Sequence, residues 1–188
     1  MKNLSLKFTE GYIHTVKPNT EVIGYWEKPL MIEQAKLCCH NNGHILEIGF
    51  GLGLFAEAAH SIGIKSHTIV EIHPEILKKL YAWAKNKDNV KIIEGDWFEK
   101  INSINQYHYD GIFFDTHLDP NRLKFRKLIV DHSLKQGGIF TYFDMKDEDS
   151  FKYGDKLQMF NINVESPIES RLGKSIENFK VNYFQNAS

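Results

Sequence analysis

The stretch HILEIGFGLG (44–53) decides the fold. Ile45, Leu46 and Ile48 make a short apolar run around Glu47, which reads as a buried strand. Gly49, Gly51 and Gly53 follow at alternate positions, and a helical pattern then runs from Leu54 to Ser61. Strand, glycines and helix in that order form the opening of a parallel βαβ unit. Glycine lets the backbone turn sharply there and lets a ligand approach with no Cβ in the way.

The same alternation continues downstream. SHTIVEI (66–72) reads as a second strand, followed at Pro74 by a helix with Ile76, Leu77, Leu80, Trp83 and Ala84 on one face. VKIIEGD (90–96) and YDGIFFD (109–115) read as the third and fourth strands. The helical LKFRKLIVDHSLK (123–135) leads through Gly137 and Gly138 to a fifth, IFTYFD (139–144). NINVESPI (161–168) and ENFKVNYF (177–184) have no convincing helix between them and suggest an antiparallel hairpin at a sheet edge. Upstream, Pro29 opens a helix carrying Leu30, Met31, Ala35, Leu37 and Cys38, which Asn41, Asn42 and Gly43 stop. The expectation is an α/β, Rossmann-like, doubly wound sheet of seven strands. Residues 1–25 mix polar and aromatic positions without period and read as an arm or lid on one domain, 26–188.

Composition narrows the function classes. A chain of 188 residues with 42% hydrophobic and 25% charged residues is globular rather than disordered. Its 23 Lys and Arg against 24 Asp and Glu leave a net charge of -1, without the basic excess of a nucleic-acid binder. No apolar run approaches the ~20 residues of a membrane span, and the start, MKNLSLKFTEGYIH, lacks the pattern of a secretory leader. Cys38 and Cys39 are adjacent and poorly placed to bond each other. The histidines are scattered, without metal-ligand spacing. A reduced, cytoplasmic protein is expected, monomeric or homodimeric, with no metal and with neither nucleic acid nor membrane as partner.

The strand ends carry the chemistry. Glu71 closes the second strand, 18 residues beyond Gly53, where a carboxylate suits the hydroxyls of a ribose. The spacing is G-x-G-x-G rather than the dinucleotide G-x-G-x-x-G, and Glu47 just before it would repel a pyrophosphate. A cationic ligand would be attracted instead. S-adenosylmethionine, with a sulfonium, an ammonium and no phosphate, fits that requirement. At the end of the third strand Asp96 can accept from an adenine amino group and Trp97 can flank the ring.

Residues 47–53, Glu71 and residues 95–97 resemble the class I S-adenosylmethionine-dependent methyltransferases. A closer resemblance is carried by GYWEKPLM (24–31), by Ile48, Gly49, Phe50 and Gly51, and by Phe114, Asp115 and Thr116. These segments are similar to the W-E-x-P, E-x-G-F-G and Y-D-T segments of guanidinoacetate methyltransferase and the related arginine δ-N-methyltransferases, with Phe114 replacing the tyrosine. The resemblance covers about residues 22–145 and implies S-adenosylmethionine as methyl donor, S-adenosylhomocysteine (SAH) as product, and a small guanidino compound as substrate. It implies two carboxylates bracketing the guanidinium, here Glu27 and Asp115, and a position near the cofactor sulfonium at Met31. A guanidinium is a planar cation that carboxylates bind through paired, charge-assisted bonds. A carboxylate beside the reacting nitrogen can also take its proton as the methyl bond forms.

The departures bear on the far end of the substrate. His117 stands where the family has an aromatic residue and could steer a carboxylate. After the fifth strand, Asp144 would favour an amine, as in agmatine or free arginine, whereas Lys146 would favour a carboxylate. Thr116, His117, Asp144 and Lys146 are thus the candidate substrate contacts. Free or peptide-bound arginine, agmatine and a non-guanidine amine stay open as substrates. So does a catalytically silent adenosyl-binding module.

Overall fold

The computed structural model describes residues 2–17, 19–117, 119–142, 158–164 and 176–186, without the side chains of 158–164 and 176–182. Three four-residue strands come first: β1 (Leu6–Thr9), β2 (Tyr12–Thr15) and β3 (Glu21–Gly24), paired antiparallel in that order. The arm expected from the sequence is therefore a small sheet. Strands this short contribute only one or two inward residues each, such as Leu6 and Ile13, too few for a period to stand out. A 3-10 turn, Tyr25–Glu27, leads into α1 (Lys28–Cys38), with Pro29 in its first turn. There the missing proline N–H leaves no helical bond unmade.

The main domain then alternates as the sequence suggests. It runs β4 (His44–Ile48), α2 (Leu54–Ile62), β5 (Ser66–Glu71), α3 (Pro74–Ala84), β6 (Val90–Glu94), a short α4 (Ile101–Ile104) and β7 (Tyr109–Phe114). The helical stretch expected over 123–135 is a chain of irregular turns: 3-10 at Arg122–Lys124, π at Arg126–Val130, and a last helical turn at Asp131–Ser133. It ends early because β8 (Leu134–Tyr142) begins at Leu134, which pairs with Tyr109 of β7. Pairing with a buried neighbour overrides the helical pattern of the segment. The strands β9 (Gln158–Val164) and β10 (Ile176–Gln185) form the expected antiparallel hairpin.

The seven-stranded sheet has the order β6-β5-β4-β7-β8-β10-β9. The five strands β6, β5, β4, β7 and β8 are parallel, and β10 runs antiparallel to β8. Both faces are covered, so the central strands alternate between two cores rather than between core and water. Ile45, Ile69 and Phe113 pack with α1, α2 and α3. Leu46, Ile48, Ile112 and Phe114 pack with Trp97, Phe125 and Ile129 on the opposite side. No helix among the described residues is long and apolar enough to cross a membrane.

One close approach sets the height of α1 above the sheet. A Cβ on Gly111 of β7 would stand 2.1 Å from the carbonyl oxygen of Cys38 and 2.6 Å from its sulfur. The end of α1 therefore lies on bare backbone, and Cys38 and Cys39 are buried as free thiols beneath it. Gly111→Val should push α1 off the sheet and cost ~3 kcal/mol of unfolding free energy or more, read by urea denaturation. Wild-type stability in that variant would mean that α1 does not depend on this contact.

Candidate functional site

The chain leaves β4 toward β5 on one side and takes up β7 on the other, so the crevice between β4 and β7 lies at the switch point of the sheet. Backbone bonds knit that point together. Gly49 N–H donates to Val70 O at 2.9 Å, and Asp115 N–H donates to Ile48 O at 3.0 Å. Gly49 adopts φ +90°, and a Cβ there would sit 2.0 Å from the Asp115 carbonyl oxygen. Only glycine fits.

Two adjoining clefts open on this seam, sharing Gly49, Glu71, Ile72, Thr116 and His117. The first, about 450 Å³, adds Asp96, Trp97, Asp119 and Pro120 to the shared wall. Glu71 stands at the junction with both oxygens engaged. Oε2 accepts from Phe50 N–H at 2.9 Å, and Oε1 accepts from Ile72 N–H at 2.8 Å and His73 N–H at 2.7 Å. Burial raises its pKa, opposed by those three amides. Asp96 accepts from Phe98 N–H at 2.9 Å. Trp97 is a buried wall rather than a free flank, set edge-on against Phe98, Phe114 and Phe125.

The second cleft, about 590 Å³, is lined by Met31, Glu47, Phe50, Gly51, Phe113 and Asp115, and by Val22 and Ile23 of β3. Glu47 projects into it from the centre of the sheet, between Ile69 of β5 and Phe113 of β7. It is fully buried, and neither carboxylate oxygen has an aligned hydrogen-bond partner. Burial pushes its pKa well up, and the nearby Glu71 and Asp115 add to the effect. Among the described residues, no Lys or Arg lines either cleft. A buried acid with no Lys or Arg beside it in the cleft calls for a cation. This lining, acids with an aromatic wall and no Lys or Arg among the described residues, suits a cationic adenosyl ligand such as S-adenosylmethionine.

The remaining candidates stand apart to different degrees. Gly53 lies behind the turn, where a Cβ would meet the Phe50 ring at 2.7 Å. Phe50 itself packs into the core near Trp83. Glu27 is fully buried and is not among the residues lining either cleft; its Oε1 accepts from Gly24 N–H at 2.9 Å. Met31, one helical turn further on, does line the second cleft. His117 Nε2 lies 3.4 Å from Thr20 Oγ1, so it meets the arm at the cleft mouth. Asp144 and Lys146 lie outside the described residues.

Sequence reading missed Asp119. Its Oδ2 accepts from Trp97 Nε1 at 2.6 Å and from Thr116 Oγ1 at 3.2 Å, while Oδ1 accepts from Asn121 N–H at 2.8 Å. One carboxylate thus ties the aromatic wall to the loop that carries Asp115. The only signal in the sequence is the Asp119-Pro120 pair, which marks a turn.

A family model described as guanidinoacetate N-methyltransferase matches residues 5–183. Proteins named protein arginine N-methyltransferase 2 are also similar. The one from Candida glabrata is 29% identical over 153 residues, covering 76% of this chain and 37% of its own length. The one from Debaryomyces hansenii is 32% identical over 159 residues, 74% of this chain and 35% of its own. The chain therefore spans little more than a third of these relatives. A solved protein from Streptococcus mutans, assigned as an S-adenosylmethionine-dependent methyltransferase, superposes with a TM-score of 0.63 at 14% identity, over 98% of this chain and 56% of that one. Another assigned methyltransferase, solved in complex with SAH, gives 0.60 at 13% identity, over 97% and 56%. At such identities the likeness concerns the fold.

Asp119→Ala strands the Trp97 indole N–H and the Thr116 hydroxyl. It should cost ~1–3 kcal/mol in chemical denaturation, and Asp119→Asn, which keeps an acceptor, clearly less. Equal losses would assign the effect to charge rather than to these bonds. The pH dependence of stability has opposed parts. His67, pushed down to about 3 by burial, binds fewer protons folded than unfolded, so its part of the stability rises with pH up to the ordinary histidine range. Glu47, pushed up, binds more protons folded, so its part falls as pH rises from the ordinary carboxylate range through its folded value. Glu47→Gln should therefore gain stability relative to wild type with increasing pH. A difference constant from pH 5 to 8, measured by thermal unfolding, would contradict this.

Proposed function

The chain belongs to the guanidinoacetate N-methyltransferase family and is a class I S-adenosylmethionine-dependent methyltransferase, and from that premise we propose that the group it methylates is a guanidinium, of arginine type. The observation that carries this reading is the cleft of Glu47, Glu71 and Asp115 with no lining Lys or Arg among the described residues. Such a cleft favours a cationic donor and a cationic acceptor together, which would otherwise repel each other. The relatives named for arginine methylation favour arginine over guanidinoacetate. Guanidinoacetate remains the second reading because the matched family model carries its name.

The donor supplies a methyl group on a positively charged sulfur. This chain's residues would do the rest. Glu71 and Asp96, with Trp97 as wall, hold the adenosyl end. Glu47 holds the ammonium at the other end. Asp115, half-buried at the end of β7, accepts from the guanidinium, aligns the reacting nitrogen and takes its proton as the new bond forms. Glu27 is the second carboxylate by family position. It joins the guanidinium only when substrate opens the closed contact around the Gly24 amide. In-line placement of nitrogen, methyl carbon and sulfur is the remaining contribution to rate.

The test is methyl transfer read by product mass, with arginine, an arginine peptide, agmatine, guanidinoacetate and matched amines lacking the guanidine. Product from the arginine compounds but from no amine is expected. Methylated amines, or SAH binding with no product from any compound, would overturn the guanidinium reading. Asp115→Asn and Glu27→Gln should each lower kcat/KM by ~10²-fold or more while leaving SAH affinity nearly intact. Glu71→Ala should mainly weaken SAH binding and, by freeing three amides, also lower stability.

A further inference from the structure

Beneath the second cleft lies a buried polar pair. Glu47 Oε2 and His67 Nε2 are 2.9 Å apart, with side chains 1% and 0% exposed. The approach lacks the alignment of a hydrogen bond, and the other oxygen and ring nitrogen have no aligned partner either. The groups around the pair come from every packed element. β5 contributes Glu71 as well as His67, the loop after β7 contributes Asp115, and the end of α1 contributes Cys38 and, just beyond it, Cys39. Behind His67 stands His60 of α2, at 5.5 Å between ring centroids, itself influenced by Glu57 and Lys87. Each group acting directly on Glu47 is an acid or a thiol. Burial lowers the pKa of both imidazoles, that of His67 to about 3.

A carboxylate there retains its proton until a cation arrives. We propose that Glu47 and His67 act as a proton-exchanging pair that couples ligand binding to release of one proton. In the empty cleft, protonated Glu47 donates toward the lone pair of His67 Nε2. When a ligand ammonium enters, Glu47 passes its proton to His67 Nε2 and the ring gives up its Nδ1 proton to solvent, so that the neutral ring now donates from Nε2 to the new carboxylate. A neutral imidazole has one N–H that either nitrogen can hold, so the same ring accepts in one state and donates in the other. Burial disfavours the imidazolium, which would otherwise neutralise Glu47 and remove the demand for a ligand cation. His67 is thus a positioning residue, acting on the ligand through Glu47.

The proposal rests on the reading of the cleft as an S-adenosylmethionine site. It predicts that affinity for an ammonium-bearing ligand rises with pH, by up to about tenfold per unit while Glu47 is protonated in the empty protein. The experiment is calorimetric titration of the full chain with SAH and with 5′-methylthioadenosine, which lacks the amino-acid arm. It is run from pH 5.5 to 8.0 in two buffers of different ionisation enthalpy. SAH should release up to about one proton at the acid end and fewer as pH rises, whereas 5′-methylthioadenosine should release none. Glu47→Gln should abolish the release. His67→Phe should move it to higher pH and weaken SAH about tenfold, and His67→Gln, whose amide both donates and accepts, should restore most of the loss.

Proton-neutral binding of wild-type protein to SAH at every pH would overturn this proposal alone, without any variant. So would release that persists in Glu47→Gln, which would assign the proton to Glu71 or Asp115. Absence of SAH binding at every pH would overturn the adenosyl reading of the cleft and this proposal with it.

Discussion

The close passage of the β4 turn over the end of β7 is the constraint on which the site depends. Ile48 accepts from Asp115, Gly49 donates to Val70, and the missing Cβ at Gly49 leaves room for the Asp115 carbonyl. That arrangement brings the ends of three strands to one cleft. Glu47 lines it from β4, Glu71 from β5 and Asp115 from the end of β7, each at or near the carboxyl end of its strand. Any side chain at position 49 would have to part β4 from β7 and would separate the acids as it did so.

Gathering acids in this way opposes stability, because a buried charge without a partner costs several kcal/mol or shifts its pKa until it is neutral. The protein meets this differently at each site. Glu71 is compensated by three backbone amides, which also hold the glycine turn and the start of the following loop. Glu47 has no such compensation and is raised well above the carboxylate range. Of the two, the uncompensated one has the chemistry of a ligand contact, while the compensated one holds the turn together as it lines both clefts.

The arm and α1 complete the enclosure. α1 rests on Gly111, which brings Met31 to the cleft and sets Glu27 behind it, closed against Gly24. β3 supplies Val22 and Ile23 to the cleft wall. The arm is pinned at both ends, by Leu4 O to His73 Nε2 at 2.7 Å and by Thr20 to His117 at 3.4 Å. Trp26, bonded to Glu21 at 2.7 Å, packs beneath this segment as part of the core. The region upstream of Glu27 is thus a wall of the site as well as an extension of the chain.

Local signals made much of this legible. Apolar runs marked the strands, proline marked the starts of α1 and α3, glycines marked the turn after β4, and acids at successive strand ends marked the edge where the clefts open. Each of these is a property of a few neighbouring residues, so the sequence by itself determined the parallel sheet, the antiparallel edge and the end of the sheet at which the clefts open. The tertiary structure decided the rest, because it depends on residues far apart in the chain. Glu47 meets His67, Trp97 meets Asp119, and Gly111 meets Cys38 only after the sheet has assembled. The three strands of the arm, the irregular turns before β8 and the burial of Glu27 are likewise outcomes of packing. No local pattern encodes which way a carboxylate faces, since that is set by the burial and hydrogen bonds its neighbours leave available.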